Sequence, residues 1–407
     1  MRWLADRGPC AAVVAGCGLL GLAAAPNAGA AEWYLESDLN QYLGYENNIG
    51  LESSGGDQVS GFNSTSSIGV VAGGRTPVAD VSLSSLFNFT AYPTQSELNS
   101  NDQYITLSGK RQGERWTAAL TGQYIRDTTR TSDLEDTGGL ILANKRREFY
   151  SIGPSFSYLV APTHQVNLGA FYNYNHYDTK EIPDSANLGG QVGWTHDLTT
   201  RTQALATVYA AKINSNDNEQ GNDNSRYYTL LLGASHKFSE NLQGTLAVGP
   251  NFADTDVVQT QDGARRSDSQ FHTGYSFDAT LTYALEELIQ LQGDVFRALV
   301  ASSSTGSLTE NTGVRLAASY RLLPHLSVEL PFAYVHREQV GEGREIDQDQ
   351  SRDYLSAEPT LLWQLTADWD FRLGYGIQWQ MTDEGNGVGN SVFGFLTYRL
   401  PRLAMSR

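Results

Sequence analysis

Apolar and polar side chains alternate residue by residue through segments of this chain that are about ten residues long or more, and a chain that repeats every two residues is a β-strand. From Ser269 to Tyr283 one face carries Phe271, Thr273, Tyr275, Phe277, Ala279, Leu281 and Tyr283, and the other Gln270, His272, Gly274, Ser276, Asp278, Thr280 and Thr282. From Phe371 to Met381 the apolar face is Phe371, Leu373, Tyr375, Ile377, Trp379 and Met381, set against Arg372, Gly374, Gly376, Gln378 and Gln380. From Leu326 to Tyr334 it is Leu326, Val328, Leu330, Phe332 and Tyr334, set against Ser327, Glu329, Pro331 and Ala333. Strands of soluble sandwiches run to about five or six residues, so longer segments with one greasy and one wet face suit the spanning strands of a membrane barrel.

The connections point the same way. Short turns fall at Gly73 to Pro77, Gln112 to Glu114, Ala161 to His164, Asp197 to Arg201, Ser239 to Asn241, Leu285 to Leu288, Leu322 to His325 and Ala367 to Asp370. Between them lie longer polar stretches such as Asn214 to Ser225, Asp254 to Asp268 and Gly341 to Ser351. Membrane barrels turn short on the periplasmic side and long outside, so this asymmetry predicts an all-β chain: one transmembrane antiparallel up-and-down barrel of about 18 strands (16–20), both ends periplasmic.

No composition shift divides the 407 residues, and 21 Tyr with 40 Gly suits strands better than helices. Arg2 and Arg7 precede an apolar stretch from Ala11 to Ala25 and the small residues Ala28 to Ala31, the layout of a cleavable signal peptide over residues 1–31. The rival is a lipoprotein signal with Cys17 as the lipidated residue. Cys10 and Cys17 both lie in this leader, so the remaining chain has no thiol for a disulfide or for catalysis. The formal charge is -17; Arg2 and Arg7 against Asp6 carry a net +1, which leaves -18 on the remainder. A chain so acidic is unsuited to nucleic acid.

Aromatic residues should gather where strands meet the lipid headgroups. Trp116, Trp194, Phe238, Tyr283 and Phe371 lie beside short turns and predict a periplasmic girdle; Tyr174, Tyr209, Tyr228, Phe252, Phe271 and Trp379 lie nearer long loops and predict an outer one. The final strand, Ser391 to Leu400, places Val392, Leu396, Tyr398 and Leu400 on one face. Its Tyr398-Arg399-Leu400 resembles the C-terminal assembly signal of outer-membrane proteins, with Leu in place of the usual Phe and a tail over residues 401–407 beyond it. Over residues 32–400 the chain resembles the outer-membrane β-barrel porin families of proteobacteria, including barrels associated with exopolysaccharide systems. That resemblance is one of architecture. It implies export by Sec, insertion by the barrel assembly machinery, a setting of outer-membrane lipid and lipopolysaccharide, and passage of small hydrophilic solutes without a cofactor.

A lumen of this size holds water. The alternation assigns Lys110, Arg315, Arg321, Arg337 and Arg372, with Asp278, Asp294 and Glu329, to the pore wall, either as a field that orients solutes or as charges that merely solvate it. The longest connection carries the apolar run Gly138-Gly139-Leu140-Ile141-Leu142-Ala143 and then Lys145-Arg146-Arg147. Gly138, Gly139, Leu140, Ile141, Leu142, Lys145 and Arg146 are thus the candidate constriction loop, resembling the third loop of porins; the alternative is a hairpin standing above the membrane. The acidic groups Asp217, Glu219 and Asp223, and Asp254, Asp256 and Asp262, lack the calcium-loop spacing with its closing Glu and read as solvated loops. No H-E-x-x-H or G-x-S-x-G occurs, and Ser235 and His236 are neighbours that point to opposite faces of a strand, so no catalytic residues are assigned. The expectation is a passive porin-like channel. The alternatives are an exopolysaccharide export barrel, with Tyr34, Asn40, Tyr42, Phe171, Asn173 and Asn175 as its lining, and a closed barrel that binds partners through its loops.

Overall fold

The computed structural model describes residues 31–406 except 54–55, 57, 132–143, 181, 218–220, 262–263, 287, 303–306, 341–350 and 383–384. The leader predicted over residues 1–31 and the run Gly138 to Leu142 therefore lie outside the described residues, apart from Ala31. The strands are β1 (Glu32–Asn47), β2 (Gly61–Thr76), β3 (Ala79–Ala91), β4 (Ser100–Gln112), β5 (Trp116–Thr128), β6 (Arg146–Ala161), β7 (His164–Tyr177), β8 (Asp184–Asp197), β9 (Thr202–Asp217) and β10 (Gly221–Lys237). They continue as β11 (Leu242–Gln261), β12 (Ala264–Leu285), β13 (Ile289–Ala301), β14 (Leu308–Leu323), β15 (Leu326–Gln339), β16 (Ser351–Ala357), β17 (Thr360–Gln364), β18 (Trp369–Thr382), β19 (Gly385–Arg399) and β20 (Leu403–Ser406).

From β1 to β16 each strand pairs antiparallel with the next, β18 pairs with β19, and β19 returns to β1 from Asp38 against Arg399 up to Asn47 against Asn390, which closes the barrel. β16 and β17 are two halves of one wall strand, because both lie between β15 and β18 and are separated only at Glu358 and Pro359. β20 likewise prolongs β19 beyond Pro401, pairing Leu403–Ser406 with Glu32–Leu35. Arg402 pins this end through ion pairs to Glu32 and Glu36, each at 3.0 Å. The wall is thus eighteen strands, as the alternation and the turn count predict.

All eight predicted short turns are found on one rim. Three share one device: a hydroxyl caps the amides two and three residues ahead, so both donors find a partner inside the tight reversal. Thr199 Oγ1 accepts from the Arg201 and Thr202 amides at 3.1 and 2.9 Å. Ser239 Oγ does so from Asn241 and Leu242, and Thr366 Oγ1 from Asp368 and Trp369. On the other rim the structure corrects the sequence reading. The stretches taken as loops at Asn214 to Ser225 and Asp254 to Asp268 are largely paired strand, with β9 meeting β10 up to Asp217 against Gly221 and β11 meeting β12 up to Gln261 against Ala264. Polarity marks contact with water, and a hairpin standing in water is polar and paired at once.

The alternation sorts the wall into two faces. Leu43, Leu188, Val192, Leu232, Leu246 and Leu373 are exposed on the outside, at up to 60% for Leu188. A continuous outer band of this kind belongs in hydrocarbon, where a closed barrel alone leaves no strand edge unpaired. Aromatics flank the band. Toward the long-loop rim Tyr124 lies on Tyr150 at 5.1 Å, Tyr150 on Tyr174 at 6.4 Å and Phe252 on Phe271 at 6.4 Å. Toward the short-turn rim Trp116 stacks with Phe156 at 6.4 Å, and Trp369 lies tilted against Tyr398 at 4.6 Å. Tyr209 departs from the predicted girdle: it shares the face of Ala211 and Ile213, both buried, and points inward, while Val208 takes the lipid side. Its strand carries apolar side chains on both faces, which left the parity open in the sequence. Placing arginine at Leu246, well inside the band, is expected to destabilise the barrel by about 2–4 kcal/mol in unfolding measurements from liposomes. A loss below about 1 kcal/mol would put that position outside the hydrocarbon.

Candidate channel and its constriction

Opposite the apolar band lies the inner face. Between the rims, β6 to β11 present uncharged polar side chains inward, among them Ser151, Asn167, Asn173, Gln191, Thr207 and Asn251. β12 to β19 present charges of both signs. The wall is electrostatically lopsided, neutral on one side and mixed on the other.

Strand register places all eight predicted wall charges on this inner face. Lys110 stands opposite Asp80, which Arg75 holds at 2.8 Å, close to the short turns. Arg321 faces Ser327 and Glu329 faces Ser319 on the β14 and β15 pair, again near that rim. Arg372 lies 5.9 Å over the Phe395 ring. Asp278 and Asp294 sit at mid-height, and Asp294 accepts hydrogen bonds from Thr280 at 2.9 Å and Gln292 at 3.0 Å. Arg315 is its cross-strand neighbour. Arg337 is different: it is buried at the long-loop end and donates to Ser302 Oγ at 3.1 Å. These charges are spread over the height of the lumen and form no single ring.

The narrowing is in the half toward the long loops, and its source is a seam. β12 pairs with β11 along its whole length but with β13 only from Leu285 up to Phe277 against Arg297. Above that pair the tips of β13, β14 and β15 leave the wall and enter the lumen. Leu299, Leu308 and Val340 form one buried cluster with Ala211, Tyr227 and Ala253, with Phe171 and Tyr209 packed against it. Ala211, Tyr227 and Ala253 belong to the inner face of β9 to β11, whereas Leu299 and Leu308 share the parity of the lipid-facing residues of their own strands. The tip therefore lays its outward face on the inner face of the opposite side of the seam. Burial is nearly complete there, 2% exposure for Tyr227 and 1% for Ala253 and Leu308.

Polar contacts hold the bend. Arg297 makes a two-pronged ion pair with Glu310 at 2.8 and 2.7 Å, stands 4.6 Å over the Tyr275 ring, and the His272 ring nitrogen lies 3.9 Å from the same carboxylate. Ser302 closes the β13 and β14 hairpin by donating its amide to Ser307 at 2.8 Å, and Val340 ties β15 to Leu308 at 3.0 Å. On the receiving wall Phe171, Tyr209 and Tyr227 form an aromatic row with centroids 5.7 and 5.6 Å apart, and the hydroxyls of the two tyrosines meet at 3.3 Å. Gly189 leaves room for this row, since a Cβ there would stand 2.4 Å from the Phe171 ring.

Further contacts tie down other described parts of the long-loop rim. Asn48 and Leu51 adopt positive φ of 48° and 51°, and the Asn48 side chain donates to Glu52 and Val388 carbonyls at 2.9 and 3.0 Å. Leu51 then lies against β19 where Gly387 and Gly389 offer a bare backbone; a Cβ on Gly387 would come within 1.7 Å of the Leu51 carbonyl. Tyr92, 1% exposed, takes a hydrogen bond from Asn63 at 3.0 Å beneath Arg130, 5.2 Å from its ring, and burial raises its pKa. Asp127 and Arg147 form a buried two-pronged pair, both contacts 3.0 Å. Of the candidate constriction loop, Lys145 and Arg146 are described. Lys145 accepts the Thr129 amide at its carbonyl and donates its own amide to the Thr129 hydroxyl, and Arg146 pairs with Asp102 at 3.0 Å, so both belong to the rim of the wall.

Of the alternative lining, Tyr34, Asn40, Tyr42, Asn173 and Asn175 face inward together with Phe171. The Arg297 to Glu310 clamp and the tip cluster had no signal in the sequence, because Leu299 and Leu308 read as ordinary lipid-facing positions.

No protein-family model matches the chain, and no curated protein matches it. Among solved structures it is similar to the siderophore receptor PirA from Pseudomonas aeruginosa, with TM-score 0.45, 10% identity and coverage of 90% of this chain and 80% of that one. It is similar to P. aeruginosa OccK2 (OpdF) in complex with glucuronate at TM-score 0.44 and 10% identity, covering 90% and 98%. The outer membrane protein opdK from the same organism follows at TM-score 0.42 and 10% identity, covering 91% and 99%. The chain is a closed antiparallel barrel of eighteen strands, and its structural neighbours are outer-membrane barrel proteins.

Proposed function

We propose that this protein is an outer-membrane channel through which small hydrophilic solutes diffuse, narrowed in its outer half by the tips of β13 to β15. The observation that carries this reading is the union of an apolar outer band with a charged, solvent-facing inner wall at the short-turn end, leading up to the tucked tips. A wall of this kind costs little to keep wet and lets polar solutes shed no more water than the narrowing demands. The leader over residues 1–31, Sec export and the barrel assembly machinery complete the route to that membrane. Export of a polysaccharide fits less well. Phe171 packs into the tip cluster, Asn175 is buried, and Tyr42 stacks on Phe393 at 5.4 Å, so these side chains fill the lumen where a sugar track would need them open.

The test is single-channel recording of the purified protein in a planar bilayer. Stable, small conductance steps are expected. Silence across repeated insertions, with the barrel verified by faster migration before heating, would favour the closed barrel instead.

A further inference from the structure

Directly beneath the tucked tips the mixed-charge wall holds a recess of about 320 Å³. Its floor is small and apolar, from Ala317, Pro331 and Ala333, and three ionisable side chains stand around it: Asp294, Arg315 and Glu358. The recess exists because the wall is interrupted there. β15 pairs with β16 as far as Phe332 against Ala357 and resumes with β17 at Glu329 against Thr360, leaving Glu358 and Pro359 as an irregular step opposite Pro331. The Glu358 amide reaches the Pro331 carbonyl at 3.2 Å, and its side chain stays on the lumen side.

The charges of the recess do not neutralise one another. Arg315 stacks on Phe296 at 4.5 Å and has no ion-pair partner among the described residues. The Glu358 carboxylate accepts no hydrogen bond from a described side chain, and Asp294 is held from behind by Thr280 and Gln292. Arg315 on β14 and Glu358 in the step between β16 and β17 both line the recess from positions two strands apart, about 10 Å at the backbone, so a gap separates the two charges. An internal salt bridge would close such a gap; a solute with both charges would fill it. The guanidinium offers a two-pronged seat for a carboxylate, and two carboxylates nearby offer acceptors for an ammonium group.

We propose that this recess binds small zwitterions, free amino acids or dipeptides, as they pass the constriction. The recess is at the small end of ligand-site volumes, which suits such solutes. A simple anion would leave both carboxylates unmatched, and a dication would leave the arginine unmatched.

The inference names the solute class for the channel reading above and rests on it, so its test is a binding measurement that does not depend on conductance. Calorimetric titration of the detergent-purified full barrel with glycylglycine, glutamine, glucuronate and putrescine separates the classes. Binding of the two zwitterions is expected, with Arg315→Gln and Glu358→Gln each weakening it by about 10-fold to 100-fold, the range of one charge-assisted contact. Both positions face the lumen, and retained heat-modifiable migration certifies each variant's fold. Equal binding of glucuronate or putrescine, no binding of the zwitterions, or wild-type affinity in both variants overturns the proposal. Binding without conductance would instead count against the channel while sparing the site.

Discussion

Replacing Leu299 and Leu308 together by glutamate is expected to enlarge single-channel conductance several-fold. Both side chains are buried in the cluster that fastens the β13 to β15 tips to Ala211, Tyr227 and Ala253. Truncating a buried leucine already costs about 2–5 kcal/mol, and a carboxylate in its place also has to shed its water without a partner. The tips can escape that cost by swinging back in line with β12, because above Phe277 and Arg297 no backbone pairing holds β13 to that neighbour. Release thus leaves the eighteen-strand wall below the seam intact, and the heat-modifiable migration of the barrel should persist. The change in conductance is the readout. A folded variant with unchanged conductance would show that the narrowing resides elsewhere on the rim.

The second large effect is on stability. Asp127→Ala removes the carboxylate that both prongs of the Arg147 guanidinium reach, at a site where both side chains of the pair are 5% exposed or less. Breaking a buried ion pair from one side costs about 3–5 kcal/mol, since the remaining charge keeps its desolvation penalty and loses its partner. Urea unfolding in micelles should therefore shift to a markedly lower midpoint at unchanged slope. The double replacement Asp127→Leu with Arg147→Met should recover most of the loss, because no charge is then left behind. If the single variant loses under about 1 kcal/mol, the pair is better hydrated than its geometry indicates.

How far the chain could be read in advance varies by element. The spanning parts of β12 and β18 were legible, Ser269 to Tyr283 within Ala264–Leu285 and Phe371 to Met381 within Trp369–Thr382, since each alternates without a break beside a short turn. The inward charges followed directly, Asp294 and Arg315 among them, because parity within a long strand carries the face with it. Tyr209 was misplaced because Leu205, Ala206, Val208, Ala210 and Ala211 satisfy either parity, so only pairing with β8 and β10 chose the face. The hairpins at Asp217 and Gln261 were taken for loops because they are polar on both faces, as strands above a membrane are. For the constriction, the apolar run at Gly138 to Ala143 drew attention on local grounds, while Leu299 and Leu308 look no different from Leu291 or Leu316.

The sequence by itself determined the strand period, the eight tight turns, the strand number and the division of the wall into a lipid face and a wet face, because each of these is decided among residues close together in the chain. The tertiary structure decided where the wall opens and what enters it. Whether β13 stays paired with β12 above Arg297 depends on the fit of Leu299 and Leu308 to a surface assembled from β9, β10 and β11, and whether Glu358 comes to line one recess with Arg315 depends on a step in the wall at Pro331. Side-chain parity states which face of its own strand a residue occupies, but only closure of the barrel brings the faces of distant strands together, and the constriction and the recess beneath it are both made by that meeting.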